Sequence, residues 1–302
     1  MDHPLVCAVV VNWNEKDYLL RCLQSMGKLH YPPERLQILV VDNASQDGSV
    51  QVAKEAFPSV LIVQNTMNRG YCTAVNQGIT WALEQGASYV WVCNNDILVD
   101  PGCLMQLVES GEAHLEGGVF GPTVYSYDEP AHVTNMGYHI NFWTGQMHSL
   151  IPGRDIFVES ESCLEEVMTV LGCASLIRVK VFHEVGLFNP VYGLYFEETD
   201  FNVRVRRGGS KVFLVKDAVV YHRNAGTMDR YLFRRAWLLL RNLFIFEWLH
   251  ASGVQLLIFV PYFLLIHLPS FLVRGGRYAW QVKLRQRRES SKAKMQEEID
   301  AL

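Results

Sequence analysis

The sequence predicts an α/β domain built on a doubly wound, mostly parallel sheet with helices on both faces, and three observations carry that expectation. Short continuous apolar runs alternate with segments of helical period through the first third of the 302-residue chain. The runs lack the polar–apolar alternation of a half-solvated strand, as strands buried on both faces do. Polar residues and glycines gather just past the end of each run.

In chain order, LVCAVVVN (5–12), LQILVVDN (36–43), VLIVQN (60–65) and SYVWVCNND (88–96) read as buried strands. Between them DYLLRCLQSM (17–26), GSVQVAKEAF (48–57, ending before Pro58) and YCTAVNQGITWALEQG (71–86, stopped by Gly86) read as helices. Strands alternating with helices imply a parallel sheet. The polar clusters Asn12 to Asn14, Asp42 to Ser45, Asn68 to Gly70 and Asn94 to Asp96 then fall at the carboxyl ends of the strands, where open α/β sheets bind ligands. One such cluster would be an ordinary Asn/Asp/Gly turn; four on one edge predict a site. From 118 to 170 the pattern loosens: GGVFGPTVYS and HVTNMGYHINFW read as short strands and loops, either the wall of an acceptor cleft or plain connecting structure. VMTVLGCASLIR (167–178) returns to a strand, and EETDFNVRVRRGG (197–209) is a short helix with acids in its first turn and Arg in its last. KVFLVKDAVVYH (211–222) is extended, and no internal repeat is present.

With 49% hydrophobic and 19% charged residues the chain is a folded protein, and its net charge of -4 supplies no global basic field for nucleic acid. The seven Cys include several inside apolar runs and no CxxC pair, so they read as reduced, buried thiols without zinc-ligand spacing. The segment MDHPLVCAVVVNWN has neither a basic region nor a cleavage pattern, so the chemistry is expected in the cytoplasm.

The C-terminal region differs. No Asp, Glu, Lys or Arg occurs from Trp248 to Val273, and Gly253 to Val273 is long enough to span a bilayer. It nevertheless contains Gln255, Pro261, His267 and Pro269, and both flanks are basic: Arg230, Arg234, Arg235 and Arg241 before it, Arg274 and Arg277 after it. A single span with the preceding domain inside would put the basic tail outside, against the positive-inside tendency. The favoured reading is an in-plane or re-entrant segment kinked near Pro261, with both ends cytoplasmic; a true span and a buried or oligomer-forming helix stay open. Eight Lys/Arg against one acid between Arg274 and Lys294 suit anionic headgroups, or simply a solvated helix. The expected division is a sheet domain over 1–228 and a helical, basic, membrane-associating region over 229–302.

Three places carry candidate chemistry. Asp96 ends a strand in NND; a lone carboxylate there binds a divalent cation when phosphate oxygens complete the shell, or it caps a helix starting at Pro101. Glu197, Glu198 and Asp200 put three carboxylates within four residues. Their repulsion raises a proton affinity and suits a general base, although acids also favour helix N-termini without any catalytic role. His222 is either structural or a neutral imidazole ligand. A GxGxxG after the first strand, a GxxxxGK[ST] loop and a GxSxG elbow are all absent, which argues against dinucleotide oxidoreductases, P-loop NTPases and α/β-hydrolases.

Several motifs occur in a telling order: VVVNWN (9–14), VVDNASQDGS (40–49), NRGYCTAVNQG (68–78), NND (94–96), GCASLIR (172–178), GLFNPVYGLYFEETDF (186–201) and YHRNAGT (221–227). In this the chain resembles the family-2 inverting glycosyltransferases of the GT-A fold, particularly their bacterial rhamnosyltransferase-like branch, over about residues 5 to 227. The resemblance implies roles. Asp42 matches the acid that contacts the donor's base or ribose, with Asn12 and Asn14 lining the same pocket and Arg69 in the loop closing over the base; Asn94 and Asn95 are expected to bind the donor as well. Asp96 matches the metal ligand that ends the family's DxD motif, and His222 a histidine that helps hold the metal or diphosphate. Glu198 matches the catalytic base of an ED pair, and Asp200 an acid that shapes the acceptor site. Two departures stand out: Asn94 replaces the first DxD carboxylate, reducing the charge that faces the metal, and Glu198 stands where Asp is common, leaving Glu197 as a rival base.

The implied reaction is a single displacement with inversion. A hexose or a deoxyhexose such as rhamnose would move from a nucleotide diphosphate donor, with Mg²⁺ or Mn²⁺, to a glycan or lipid-linked acceptor in cell-surface polysaccharide synthesis, at the cytoplasmic face of the membrane. The alternative is a non-catalytic sugar-nucleotide-binding or scaffold subunit at the membrane, favoured by Asn94 and the apolar C-terminal segment. Nucleotidyl transfer would want a Gly-rich loop after the first strand, and VVNWNEKDY has none. A homo-oligomer is left open.

Overall fold

The structure, a computed structural model, describes residues 3–151, 163–223 and 232–273. The basic tail, Arg230 and the NAGT of YHRNAGT therefore lie outside the described residues.

The first third folds as the alternation predicts. Strands β1 (Val6–Asn12), β2 (Leu36–Asp42), β3 (Leu61–Gln64) and β4 (Tyr89–Asn94) alternate with helices α1 (Lys16–Met26), α2 (Ser49–Ala56) and α3 (Tyr71–Glu84). β1 pairs in parallel with β2 and β4, and β2 with β3. Every residue of β1 is buried, which is why its pattern is a run rather than an alternation. One core layer forms between the sheet and α1, and a second between the sheet and α3. Gly78 lets α3 lie directly on β1: a Cβ there would stand 2.2 Å from a Val9 methyl.

The sheet continues through β5 (Ile97–Val99), helix α4 (Cys103–Ala113), β6 (Gly117–Ser126), β7 (Val133–Asn135), the hairpin β8 (Tyr138–Asn141) and β9 (Gln146–Ser149), β10 (Leu164–Glu166) and β11 (Ala174–Arg178). Helices α5 (Val179–Val185) and α6 (Glu197–Arg207) precede the long β12 (Lys211–His222). The spatial order is β10-β12-β6-β11-β4-β1-β2-β3, with β5 on β12 and β7 on β6. The sheet is mostly parallel, but β11 runs antiparallel between β4 and β6, and β5, β7 and β10 are also antiparallel to their partners.

Two expectations are corrected here. GGVFGPTVYS is not a loose stretch but β6, ten residues long and mostly buried. Its glycines mark close packing: a Cβ on Gly121 would fall 2.5 Å from Val170 Cβ. Within 167–178 only Ala174–Arg178 is a strand. The chain before it makes one bridge, Tyr138 to Thr169, and turns at Gly172 before joining β4. The seven Cys are free and all but Cys163 are buried.

The chain divides into two compact units, one of residues 1–141 and 146–229, the other of residues 142–145 and 230–302. In the second, α7 (Leu232–His250) is followed by α8 (Gly253–Tyr262), which opens with a capping box: Gln255 N–H donates to Ser252 Oγ at 3.3 Å and Ser252 N–H to Gln255 Oε1 at 2.7 Å. The helix does not stop at Pro261. A π-helical turn, Phe263–His267, follows between Pro261 and Pro269, after which the chain stays helical to Val273. This 21-residue stretch is apolar and long enough to cross a membrane, with 11% of its apolar window buried.

Candidate active site

Two side-chain clusters converge at the carboxyl ends of β1, β2 and β4. The first is a buried amide–carboxylate network. Asn12 Nδ2 donates to Asp42 Oδ1 at 2.9 Å and lies 3.0 Å from Ser49 Oγ, while Asn95 Nδ2 donates to Asn12 Oδ1 at 2.7 Å. The other Asp42 oxygen accepts from Ser45 N–H at 2.9 Å. Asp42 and Asn12 have no exposed surface, so they set the shape of the loop beneath any ligand. Asn14 is exposed; its Oδ1 accepts from Gln46 N–H at 2.7 Å and its N–H donates to Ser45 Oγ at 2.9 Å. Arg69 is exposed, with its backbone N–H 3.4 Å from Asn43 Oδ1. Asn43, inside the Asp42 to Ser45 cluster, donates to Gly70 O at 3.1 Å and accepts from Asn65 at 3.1 Å, tying the loop after β2 to the loop after β3.

The second cluster joins Asn94, Asp96 and His222. The antiparallel pairing of β12 with β5 sets His222 opposite Ile97, next to Asp96. His222 Nε2 lies 3.2 Å from Asp96 Oδ1 and 3.4 Å from Asn94 Nδ2. One ring nitrogen cannot both donate to the carboxylate and accept from the amide. Asp96 and His222 would together hold a divalent cation, which would remove that conflict. The pair of one carboxylate and one imidazole would therefore fit a divalent ion whose shell phosphate oxygens would complete, with Asn94 Oδ1 held by the Tyr71 hydroxyl. No group of three or more His, Cys, Asp or Glu among the described residues makes a self-sufficient metal site. Asp96 is no helix cap: α4 begins at Cys103, and Asp100 supplies the turn, accepting from Gly102 N–H at 2.9 Å.

The acids of the FEETDF motif begin α6 and diverge in role. Both Asp200 oxygens are engaged, Oδ1 by the Tyr192 hydroxyl at 3.2 Å and Oδ2 by Arg204 Nε at 2.8 Å. The Arg204 guanidinium in turn holds the Val185 and Leu187 carbonyls. Asp200 is thus built into an ion pair, and the structure does not gather it with the two glutamates. Glu197 and Glu198 each keep a buried Oε2 without a hydrogen-bond partner. Burial, and then the neighbouring Glu198, push the Glu197 carboxyl well above its ordinary range, and burial raises Glu198 as well. Gly172 makes room for this pair: a Cβ there would stand 2.9 Å from Glu198 Cβ.

Tyr71, at the start of α3, links the second cluster to the glutamates. Its hydroxyl is 3.1 Å from Asn94 Oδ1, and its phenol is pushed far up by burial and then by the fields of Glu197 and Glu198. Cys173 behaves alike: after burial, Asp96 is the leading charge and Glu198 a lesser one. Tyr138 also senses Glu198. Of these three, Tyr71 and Cys173 lay in named motifs, NRGYCTAVNQG and GCASLIR, while Tyr138 lay in none.

The asparagine–aspartate network, the carboxylate–imidazole pair and the two partnerless carboxyl oxygens all stand on one mixed sheet with helices around it. The family model described as "Glycosyl transferase family 2" matches residues 7–186, and the chain belongs to that family. It is 26% identical over 241 residues to the N-acetylglucosaminyl-diphospho-decaprenol L-rhamnosyltransferase of Mycobacterium tuberculosis, covering 74% of this chain and 77% of the relative. Among solved structures it is similar to the mannosyltransferase PcManGT from Pyrobaculum calidifontis in complex with GDP-Man and Mn²⁺ (TM-score 0.57, 19% identity). That match spans 80% of this chain and 63% of the mannosyltransferase. GalNAc-T7 with UDP, GalNAc and Mn²⁺ is similar at TM-score 0.60 and 17% identity, over 74% of this chain and 44% of its own.

Proposed function

We propose that this glycosyltransferase moves a hexose or deoxyhexose, rhamnose-like, from a nucleotide diphosphate sugar to a glycan or lipid-linked acceptor, with inversion, in cell-surface polysaccharide synthesis at the cytoplasmic face of the membrane. The observation that carries the reading is the proximity of two unlike centres. Asn94, Asp96 and His222 form one and the glutamates of α6 the other, and Tyr71 bonds the first while feeling the charge of the second. Glu198 takes the proton of the attacking acceptor hydroxyl; burial raises both carboxyls, and Glu198 raises Glu197 further, so the two titrate as a pair. Asn12, Asn14, Asp42, Arg69 and Asn95 form the donor pocket, Asp42 by shaping it. Asp96 and His222 would hold Mg²⁺ or Mn²⁺, which when bound stabilises the departing diphosphate as a Lewis acid. The relatives support this reading: one is named for transfer of rhamnose to a diphospholipid-linked sugar, and two neighbours carry Mn²⁺.

The test is a donor screen with the purified chain, Mg²⁺ or Mn²⁺ and a panel of nucleotide sugars, reading nucleotide diphosphate release with and without a lipid extract. Release from one donor, lost in EDTA and in Asp96→Ala, supports the reading. Asn94 and the two-residue metal set favour a second one, a non-catalytic sugar-nucleotide-binding subunit. Nucleotide binding without release in the presence of a competent acceptor selects it.

A further inference from the structure

The apolar segment Gly253–Val273 carries a feature that separates lying on a membrane from crossing it. The turn of the β8–β9 hairpin, residues 142–145, belongs to the compact unit formed by the C-terminal helices. Phe142 stacks on Phe246 of α7 with ring centroids 5.8 Å apart. Gly145 has φ +70, and a Cβ there would meet Phe259 at 2.8 Å and Leu243 at 2.9 Å. Farther along, His267 Nε2 sits 2.7 Å from the Thr144 carbonyl. The hairpin turn therefore runs beside the stretch from Phe259 to His267, on the side where Phe259 and Phe263 are buried.

That stretch is the middle of the segment. At about 1.5 Å per residue, Phe259 lies roughly 9 Å and His267 roughly 21 Å from Gly253 along a helix about 31 Å long. Were the segment to cross a hydrocarbon core about 30 Å thick, the turn would sit near the bilayer centre. Asn141 and Gln146, paired strand residues of the hairpin, flank that turn directly. Non-helical backbone is not tolerated in lipid at that depth. The remaining surface of the segment is open and apolar, with Leu257 75% and Leu265 72% exposed. Cationic sequence stands on both sides of it, Arg234, Arg235 and Arg241 before and eight Lys/Arg against one acid between 274 and 294 after.

We propose that Gly253–Val273 lies along the headgroup–acyl boundary of an anionic phospholipid bilayer instead of crossing it, and that the hairpin turn 142–145 enters the same boundary with exposed Trp143 as an interfacial anchor. The segment's buried face grips the turn and its open face meets lipid. The segment and the turn thereby meet the surface at two places distant in sequence. The inference rests on the membrane-surface part of the proposed function.

The experiment uses the full chain carrying Cys163→Ser, which removes the one exposed native thiol. Single cysteines at Trp143, Leu257, Leu265 or Leu272 carry an environment-sensitive dye, and each protein is mixed with phosphatidylcholine vesicles with or without phosphatidylglycerol. Nitroxide lipids labelled at the headgroup or at the chain end report depth. The expected result is blue-shifted emission at all four positions, stronger with the anionic lipid and quenched best by the headgroup label. Leu257→Ser and Leu265→Ser each weaken partitioning by roughly tenfold, the worth of one buried leucine. Chain-end quenching strongest at 265, with 272 shielded from an impermeant aqueous quencher, would overturn the in-plane arrangement while keeping membrane binding. A probe at 143 that stays aqueous while the other three enter lipid would remove the hairpin from the proposal. No change on adding vesicles, with concentration-dependent association in sedimentation, would overturn the membrane-surface reading itself and give the face to a second copy of the chain.

Discussion

Gly172→Ala tests the base assignment through the geometry of the site while leaving every titratable group in place. The added Cβ stands 2.9 Å from Glu198 Cβ and 3.2 Å from its Cγ. Carbon pairs rest near 3.5–4.0 Å, so the two must separate by about 0.6–1 Å. The nearest atom is the Cβ, fixed to the α6 backbone, and no rotamer change moves it away. A misplacement of about 1 Å at a reacting group costs roughly 10²-fold in rate, and crowding costs about 1–3 kcal/mol of stability. Single-turnover formation of nucleotide diphosphate should therefore slow by about 10²-fold, with donor affinity by calorimetry within about twofold of the parent and a melting temperature lower by a few degrees. In a Glu198→Gln background the same alanine should add little further loss, because both changes act on one group. Unchanged turnover, or full additivity with Glu198→Gln, would refute the reasoning and move the base away from Glu198.

Glu198→Gln should lower kcat by roughly 10²–10⁴-fold, whereas Glu197→Gln, at the carboxyl that burial and Glu198 push well above its ordinary range, should lose less than about tenfold; a reversed order in steady-state kinetics makes Glu197 the base. Since burial raises Glu198 and the base works ionised, the acid limb of kcat/KM should lie above the ordinary glutamate value of 4.5, as a pH–rate profile will show. Asn94→Asp restores a carboxylate beside Asp96 and His222, and the half-saturating Mn²⁺ concentration should fall by roughly tenfold in a metal titration of activity; no change would place the cation elsewhere. Glu247, on α7, is fully buried with both oxygens unpartnered, and burial lifts its carboxyl from 4.5 to about 8. Between those values the folded state holds a proton that the unfolded state releases, so this group's contribution falls as pH rises through the window. Glu247→Gln should accordingly raise the melting temperature more at pH 8 than at pH 5, and equal shifts at both would show that the burial is not felt.

What the sequence made legible follows from what leaves a one-dimensional trace. The β1 to β4 half could be read because strands buried on both faces are continuous apolar runs and each ends in turn residues. β6 could not: Gly117, Gly118, Gly121 and Pro122 imitate a loop. In three dimensions those glycines are the residues that neighbours such as Val170 and Val181 permit. The antiparallel insertion of β11 also leaves no trace, since strand direction is set by the chain between strands and not by the strand's own composition. Within the site, Asp96, His222 and the glutamates were visible as chemical types. The 3.2 Å meeting of Asp96 with His222 depends on β5 pairing with β12, across more than a hundred residues. Gly172 was visible only as a letter of GCASLIR, because the room it leaves belongs to Glu198 on a different element. Asp200 resembles its neighbours in sequence and parts from them only through Arg204, four residues on.

Backbone strain is found beside the acids whose oxygens are all engaged and leads into the two that each keep an oxygen open. Among the described residues, Asn14, Ala44, Tyr195 and Phe196 are the non-glycine positions with positive φ. Such conformations cost about 1–3 kcal/mol each and persist only where the surroundings over-determine them. Asn14 and Ala44 lie just past β1 and β2, and Tyr195 and Phe196 lead directly into Glu197. Each pair has a fully engaged carboxylate beside it. Asp42, fixed by Asn12 and Ser45 N–H, brackets Ala44. Asp200, whose N–H donates to Phe196 O at 2.8 Å and whose oxygens meet Tyr192 and Arg204, brackets the turn into α6. The satisfied acids thus hold the loops in conformations those loops would otherwise leave. Glu197 and Glu198, each with an oxygen unsatisfied, are what the second of these strained turns presents. A carboxyl oxygen buried without a partner is costly, and its persistence at the end of a strained turn is accounted for when an acceptor hydroxyl is the missing partner.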